Sequence, residues 1–391
     1  MEERRNKTPM VKILLLIDYS SDFDRRLLTG LVEYSKEHGP WLFYRMPSHY
    51  SQLYGEEGVI NWAKEWKADA IIGKWNFETA DRLKELGIPV VLQNYHHRST
   101  TFSNLTGDYQ GTGKMAAQFF LRRNYRNFAF LGVKDVVWSD ERFLGFHEEI
   151  IKNRGGDVYD FQMVNEVPGT RERVSQWLQK LPKPIALFCC DDAHALFVAE
   201  ICKIANIAIP DQIALLGVDN DELMCNISDP PISSIVLEVE KGGYAIGHLI
   251  HQQLTHQHEG AFNIVINPTR IVLRHSTERH NIKDPYVLKV VKYIDQHYDE
   301  ELSIEGLLTD IPLSRRNFEV KFKNELNTTI YQYILSCRCD RMADLLQTTD
   351  LSLIDIVSKA GFKDYNNVSR IFKKYKGCSP IEYRKKQIFD L

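Results

Sequence analysis

The hydrophobic positions of this chain follow two different rules, and the change between them comes near residue 280. Up to about residue 275, short continuous apolar runs recur: Val11–Ile17, Ala70–Gly73, Val90–Gln93, Phe128–Gly132, Ile185–Cys190 and Ile213–Val218. Runs without polar alternation predict strands buried on both faces. Amphipathic segments separate them, including Phe23–Lys36, Thr79–Leu86, Gly111–Arg122 and Ala193–Ala205, each expected as a helix. Strand–helix alternation predicts parallel sheets covered by helices on both faces. After the polar stretch Ser276–Pro285 helical spacing takes over, as in Val287/Val290/Val291/Ile294, Phe318/Phe322/Leu326 and Ile371/Phe372/Tyr375. The expected organisation is a short extension (1–9), an α/β domain (10–275), a linker (276–285) and an all-α domain (286–391).

Composition narrows the class. With 391 residues, 43% hydrophobic and 26% charged, the chain is globular and too long for a single ordinary core. No apolar run approaches the ~20 residues a bilayer span needs; Ile13–Ile17 stops at Asp18. No secretory pattern follows the charged Met1–Lys7, so a cytoplasmic location is expected. Seven cysteines in apolar surroundings read as reduced core thiols, and Cys337-x-Cys339 has the wrong spacing for zinc; neither metal nor cofactor is expected. The charge is uneven. Residues 315–391 carry 15 Lys and Arg against 9 Asp and Glu, whereas the preceding part carries 34 against 43. A basic tail behind an acidic body predicts a polyanion partner for the tail.

Within the tail, two blocks share one grammar. Ser303 caps a short helix, Asp310–Leu313 turns, and Ser314 caps Arg315–Leu326; Ser352 caps Leu353–Ala360, Gly361-Phe362 turns, and a helix is expected from Asp364 to Tyr375. The second block, with Thr348-Thr349, Ser352-Leu353, Asp355-Ile356, Gly361-Phe362, Phe372-Lys373-Lys374, Gly377, Ser379-Pro380 and Tyr383-Arg384, resembles the signature of the AraC-type transcription regulators. The first block matches at Leu307, Ser314, Phe322-Lys323, Tyr333 and Arg338. The resemblance implies two helix-turn-helix units joined by a long helix, about Thr329–Leu346. It places Arg316, Glu319 and Val320, and then Tyr365, Asn366, Asn367, Ser369 and Arg370, where recognition helices read base edges. Five positions depart from the pattern: Asn366-Asn367-Val368, Asn327 in place of glycine, and Met342 in place of alanine.

The front half, through Gly107-Asp108-Tyr109, Glu141-Arg142 with Gly145-Phe146, Asp191-Asp192 and Gly217-Val218-Asp219-Asn220, resembles the periplasmic-binding-protein-like effector domain of LacI/GalR-type repressors. The fold expected is therefore a two-lobed α/β sensor followed by an all-α domain with two helix-turn-helix units. One lobe is expected from residues 10–107 and 238–262, the other from 108–237 and 263–275. The resemblance implies sugar contacts at Asp219 and Arg142; Asp192 is expected to face the cleft, with Asp24, Arg25 and Trp75 from the first lobe. A sugar-responsive activator of pentose genes is implied, with operator DNA, a pentose such as D-xylose, RNA polymerase and a second copy of the chain as partners. An enzyme carrying a DNA-binding tail is the rival reading, but no nucleophile, metal set or second placed base accompanies Asp191-Asp192. A regulator sensing a non-sugar effector is the other; no glycine-rich phosphate loop occurs at a strand–helix turn.

Overall fold

The computed structural model describes residues 10–390 apart from 47, 94–95, 155–157, 165–167, 258–259, 279–281, 350, 364–366 and 386–388. The buried apolar runs form two sheets. Strands β1 (Val11–Leu16), β2 (Trp41–Arg45), β3 (Ala70–Gly73), β4 (Val90–Leu92) and β5 (Ser103–Gly107) build the first lobe with α1 (Asp22–His38) and α2 (Ser48–Trp66, kinked at Gly55). The second lobe runs from α3 (Tyr109–Arg122) through β6 (Phe128–Val133), α4 (Val137–Arg154), β7 (Val158–Met163), α5 (Thr170–Lys180), β8 (Ile185–Cys189), α6 (Asp192–Ile204), β9 (Ile213–Val218), α7 (Glu222–Ile227) and β10 (Ser233–Leu237). The chain then returns to the first lobe for α8 (Val239–Leu254) and β11 (Asn263–Ile266), and crosses again to β12 (Pro268–Val272). All the predicted strands are present, within one or two residues at their ends. The segment expected as a helix at Thr79–Leu86 is a 3-10 helix, Phe77–Leu86, capped by Asn76.

The front-half strands of sheet one have the order β11-β5-β4-β3-β1-β2 and run parallel. Sheet two has the order β12-β10-β9-β8-β6-β7, parallel except for β12 at its edge. Residues 263–266 therefore lie in the first lobe, not the second as expected, because Asn263–Ile266 pairs in parallel with Asn104–Gly107. The crossing falls at Asn267. There the three connections between lobes are tied together: Asp108 donates to the Ile266 carbonyl at 2.9 Å, and Glu238 to that of Asn267 at 3.1 Å. The Asn267 amide returns a bond to the Glu238 carboxylate at 2.7 Å. Three bonded strands at one level form a hinge.

Ser276 and Thr277 are not part of an exposed linker. The Ser276 hydroxyl donates to the Leu215 carbonyl at 2.6 Å and accepts from the Ser233 amide at 2.8 Å, which sinks both residues into the second lobe. Beyond it, α9 (Pro285–His297) starts with proline at its first position behind the Asp284 cap. It is followed by α10 (Ile304–Leu307), α11 (Arg315–Leu326), α12 (Ile330–Thr348), α13 (Leu353–Lys359), α14 (Val368–Lys376) and α15 (Pro380–Lys385). The tail was expected to contain no strand, yet β13 (Phe389–Asp390) adds antiparallel to β11.

The tail has two cores on one axle. Ile330, Tyr333 and Ile334 of α12 pack with Val290, Phe318 and Phe322; further along, Leu335, Met342 and Leu346 pack with Ile356, Val368 and Phe372. Thr329 and Gln332 form a reciprocal capping box that starts this helix. Asn327 ends α11 in the left-handed region at φ 53°, a conformation Asn tolerates, so it does the work of the usual glycine.

Candidate functional site

Two faces carry unspent polarity: the carboxyl ends of the strands where the lobes meet, and the solvent side of the tail's two short-helix units.

In the cleft, Asp219 follows β9 in the left-handed region at φ 99°, and Arg142 comes from α4. Arg142 Nη2 stands 3.7 Å from the Asp219 carboxylate, while Nη1 donates to the Cys190 carbonyl. Its guanidinium lies between two rings, 5.6 Å from the centroid of Tyr109 and 5.4 Å from that of Trp138. Burial drives the Asp219 carboxyl up to about 6, partly offset by Arg142. Asp191 caps α6 and holds His194 Nδ1 at 2.6 Å. Burial works against both charges. The pairing outweighs it, holding Asp191 below its ordinary range and lifting His194 to about 11.

The first lobe contributes Asp24, which is 1% exposed and accepts from the Asp18 amide at 2.8 Å and from Lys74 Nζ at 3.3 Å. Its other oxygen, Asp24 Oδ1, is buried with no hydrogen-bond partner among the described residues, as are Trp75 Nε1, Gln93 Oε1 and Arg142 Nε. Native folds leave few such atoms, and each of these four keeps capacity for a further hydrogen bond. The lobes are already bridged at the rim: Arg98 grips Glu141 through two bonds of 2.6 and 2.8 Å. Arg26, held by Glu240, donates to the Asp219 carbonyl at 3.2 Å.

In the tail, α11 presents Arg316, Glu319 and Val320 to solvent, with Val320 54% exposed. Arg316 makes no ion pair among the described residues, but Glu319 is held by Arg315 at 2.9 Å. Ser369 and Arg370 are exposed on the first turn of α14. Asn367 precedes them with its side chain unused for capping. Tyr365 and Asn366 lie outside the described residues, and α14 begins at Val368, not at the expected Asp364.

Residues 117–277 match the periplasmic binding protein-like domain family, and residues 307–386 match a helix-turn-helix domain family. The xylose operon regulatory protein of Escherichia coli K12 is 24% identical over 389 residues, 95% of this chain and 96% of that one. The protein of the same name from Haemophilus influenzae is 26% identical, over 95% and 98%. The solved structure of a xylose-binding transcription activator shares the fold at TM-score 0.60 and 22% identity, covering 97% of this chain and 99% of its own. The chain is a transcription regulator that joins a periplasmic binding protein-like domain to a helix-turn-helix domain.

In this regulator the residues inferred from sequence divide into two groups. Arg142 and Asp219 meet in the second lobe and Asp24 is bonded to Lys74 in the first, whereas Trp75, after β3, packs against the apolar cluster that includes Val59 and Ile60 of α2. Asp192 does not face the cleft: one oxygen accepts from the Asp221 amide at 2.8 Å and the other from the Ser234 hydroxyl at 2.6 Å, and burial followed by the nearness of Asp219 pushes its carboxyl well up. It braces the β9–α7 turn. Asp191, its neighbour, caps α6 instead and is turned to His194. Arg25 is likewise spent, on the Tyr19 and Ser20 carbonyls at 3.0 and 2.7 Å. Its neighbour Arg26 is the residue that reaches the second lobe. Gln93, at the end of the run Val90–Gln93, was not singled out, because one polar residue after an apolar run is too common a signal.

Proposed function

We propose that the regulator binds a neutral pentose, D-xylose before others, between its lobes, and that occupancy changes how α11 and α14 meet operator DNA. The observation that carries this reading is the set of buried polar atoms without partners: Asp24 Oδ1, Trp75 Nε1, Gln93 Oε1 and Arg142 Nε. Sugar hydroxyls both donate and accept, so one small ligand satisfies carboxylate, amide oxygen, indole and guanidinium together. The rings of Tyr19, Trp75 and Trp138 offer apolar faces for C–H bonds. Asp24, Asp191 and Asp219 each stand beside a cation, Lys74, His194 and Arg142, so the charges are matched in pairs, which favours a neutral ligand. The relatives' names supply the choice of xylose.

The same reading includes activation of pentose catabolic genes, contact with RNA polymerase, a homodimer that engages paired half-sites, and a cytoplasmic location. Titration calorimetry of the full chain with D-xylose, L-arabinose, D-ribose and D-glucose tests it. Micromolar binding of D-xylose alone is expected. Binding of another pentose moves the effector assignment, and heat from none of them overturns the sugar reading.

A further inference from the structure

One helix touches both functional faces. The first residue of α3, Tyr109, lies beneath the Arg142 guanidinium in the cleft. Its last, Arg122, donates to the Asp340 carboxylate and, at 3.0 Å, to the Ser336 hydroxyl, both on α12 of the DNA-binding domain. A helix of this length spans roughly 20 Å at about 1.5 Å per residue.

α3 is keyed to α4. A Cβ on Gly113 would stand 2.1 Å from the carbonyl oxygen of Arg142, and one on Gly145 would stand 2.1 Å from that of Gln110. The two backbones are in contact at two points, one of them the peptide of Arg142 itself. Packed elements this close move together and do not slide past one another. Whatever displaces Arg142 therefore displaces α3.

At the far end the Asp340 carboxylate is shared. Arg122 takes one oxygen, and Lys376, the last residue of α14, takes the other at 2.6 Å. Two residues beyond α3, the Asn124 amide donates to Glu325, near the end of α11, at 3.1 Å. Residues 122–124 thus bond the end of α11 directly and reach the end of α14 through the shared Asp340. Arg270 of β12 makes a separate tie to Asp344 at 3.4 Å. A half-open groove of about 1470 Å3 runs along the seam between the domains, lined by Arg122, Arg123, Asp295, Tyr333, Asp340 and Asp344 among others. That volume leaves room for the two bodies to change their relative placement.

We propose that α3, locked to α4, is the lever that carries effector occupancy to the DNA-binding domain, and that Arg122–Asp340–Lys376 is its output joint. This rests on the sugar-regulator reading above. A ligand that engages Arg142 shifts α3 and α4 as one piece, and the joint transmits the shift to α12 and α14 together. The energetic content is a coupling between two sites, equal in both directions.

The test uses the full-length chain. Operator affinity is measured with and without D-xylose, and xylose affinity with and without an operator duplex, for wild type, Arg122→Gln, Asp340→Asn, Arg122→Lys and Arg270→Gln. Effector couplings are typically about 5- to 150-fold. Expected is a wild-type factor in that range, reduced below roughly threefold in Arg122→Gln and Asp340→Asn while each still binds xylose. Arg122→Lys retains most of it, and so does Arg270→Gln, whose tie does not run through α3. Wild-type coupling in Arg122→Gln overturns the lever. Equal loss in Arg270→Gln also overturns it, because the seam as a whole would then be the conduit. Wild type that ignores xylose overturns the sugar reading itself, a result distinct from either.

Discussion

Arg142 approaches Asp219 to 3.7 Å in the cleft but donates its closer bond to the Cys190 carbonyl, so the pair is held near contact without being fully closed. Each group keeps bonding capacity for a third party. Arg142 Nε has no partner among the described residues, and Asp219 retains acceptor positions beyond its single long contact. A sugar with adjacent hydroxyls fits between a planar donor and a planar acceptor so arranged.

The first prediction concerns that carboxylate. Hydrogen bonds to a charged group contribute ~1.5–3 kcal/mol each. Asp219→Ala is therefore expected to weaken xylose binding by roughly 10- to 100-fold or more and to abolish the response of a reporter. Operator affinity without sugar is expected to stay at the wild-type level. A normal response in the reporter assay removes Asp219 from the site.

The same residue sets a pH dependence. Its carboxyl titrates near 6 in the folded protein, above its ordinary value, because burial disfavours the charge more than Arg142 favours it. The empty, folded sensor then binds this proton more tightly than the unfolded chain. From this group alone, stability rises as pH falls from about 6 toward 4 and is lost as pH rises back through 6. Ligand binding runs the other way, since the acceptor form is the carboxylate. Xylose affinity is expected to be flat above pH 7 and to fall about tenfold per unit below pH 6. In Asp219→Asn that slope should vanish; a titration series at several pH values reads it directly.

How much of this was legible follows from what each signal depends on. Unbroken apolar runs such as Ile213–Val218 locate buried strands, because burial on both faces demands continuity. The tail's caps, Ser314, Thr329 and Ser352, mark helix starts through local hydrogen bonds, so its units could be placed to within a few residues. The hinge could not be placed as well. Asn263–Ile266 joins the first sheet only because it meets β5, about 160 positions earlier in the chain, and no local pattern encodes that pairing. The site fared likewise. That Asp192 is spent within its lobe, and that Arg26 and not Arg25 reaches the second lobe, depends on neighbours brought in by distant strands and helices, Ser234 and Glu240 among them.

Asp192 gives a contrasting prediction. Both its oxygens serve the second lobe, one on the Asp221 amide and one on the Ser234 hydroxyl. Asp192→Ala leaves a buried amide unsatisfied at a cost of ~1–3 kcal/mol and loosens the turn that presents Asp219. A lower Tm is expected by several degrees, with xylose affinity reduced less than in Asp219→Ala. Loss of affinity as large as that of Asp219→Ala, at unchanged Tm, would make Asp192 a direct contact.

The last prediction separates reading from holding on the DNA. Arg370 stands exposed on the first turn of α14, and helix-turn-helix units place the N-terminal end of their second helix in the major groove. Lys374 is one turn further along on the same helix and exposed as well. If Arg370 grips a guanine, Arg370→Ala costs ~1–3 kcal/mol in operator affinity and relaxes preference at one base position. Lys374→Ala should instead weaken operator and unrelated DNA alike and lower the salt dependence of log K by about one counterion. Affinities measured across a salt series, on the operator and on a scrambled duplex, distinguish the two. Arg370→Ala that weakens both duplexes equally would assign Arg370 to the phosphates and leave base recognition by the second unit to Asn367 and Ser369.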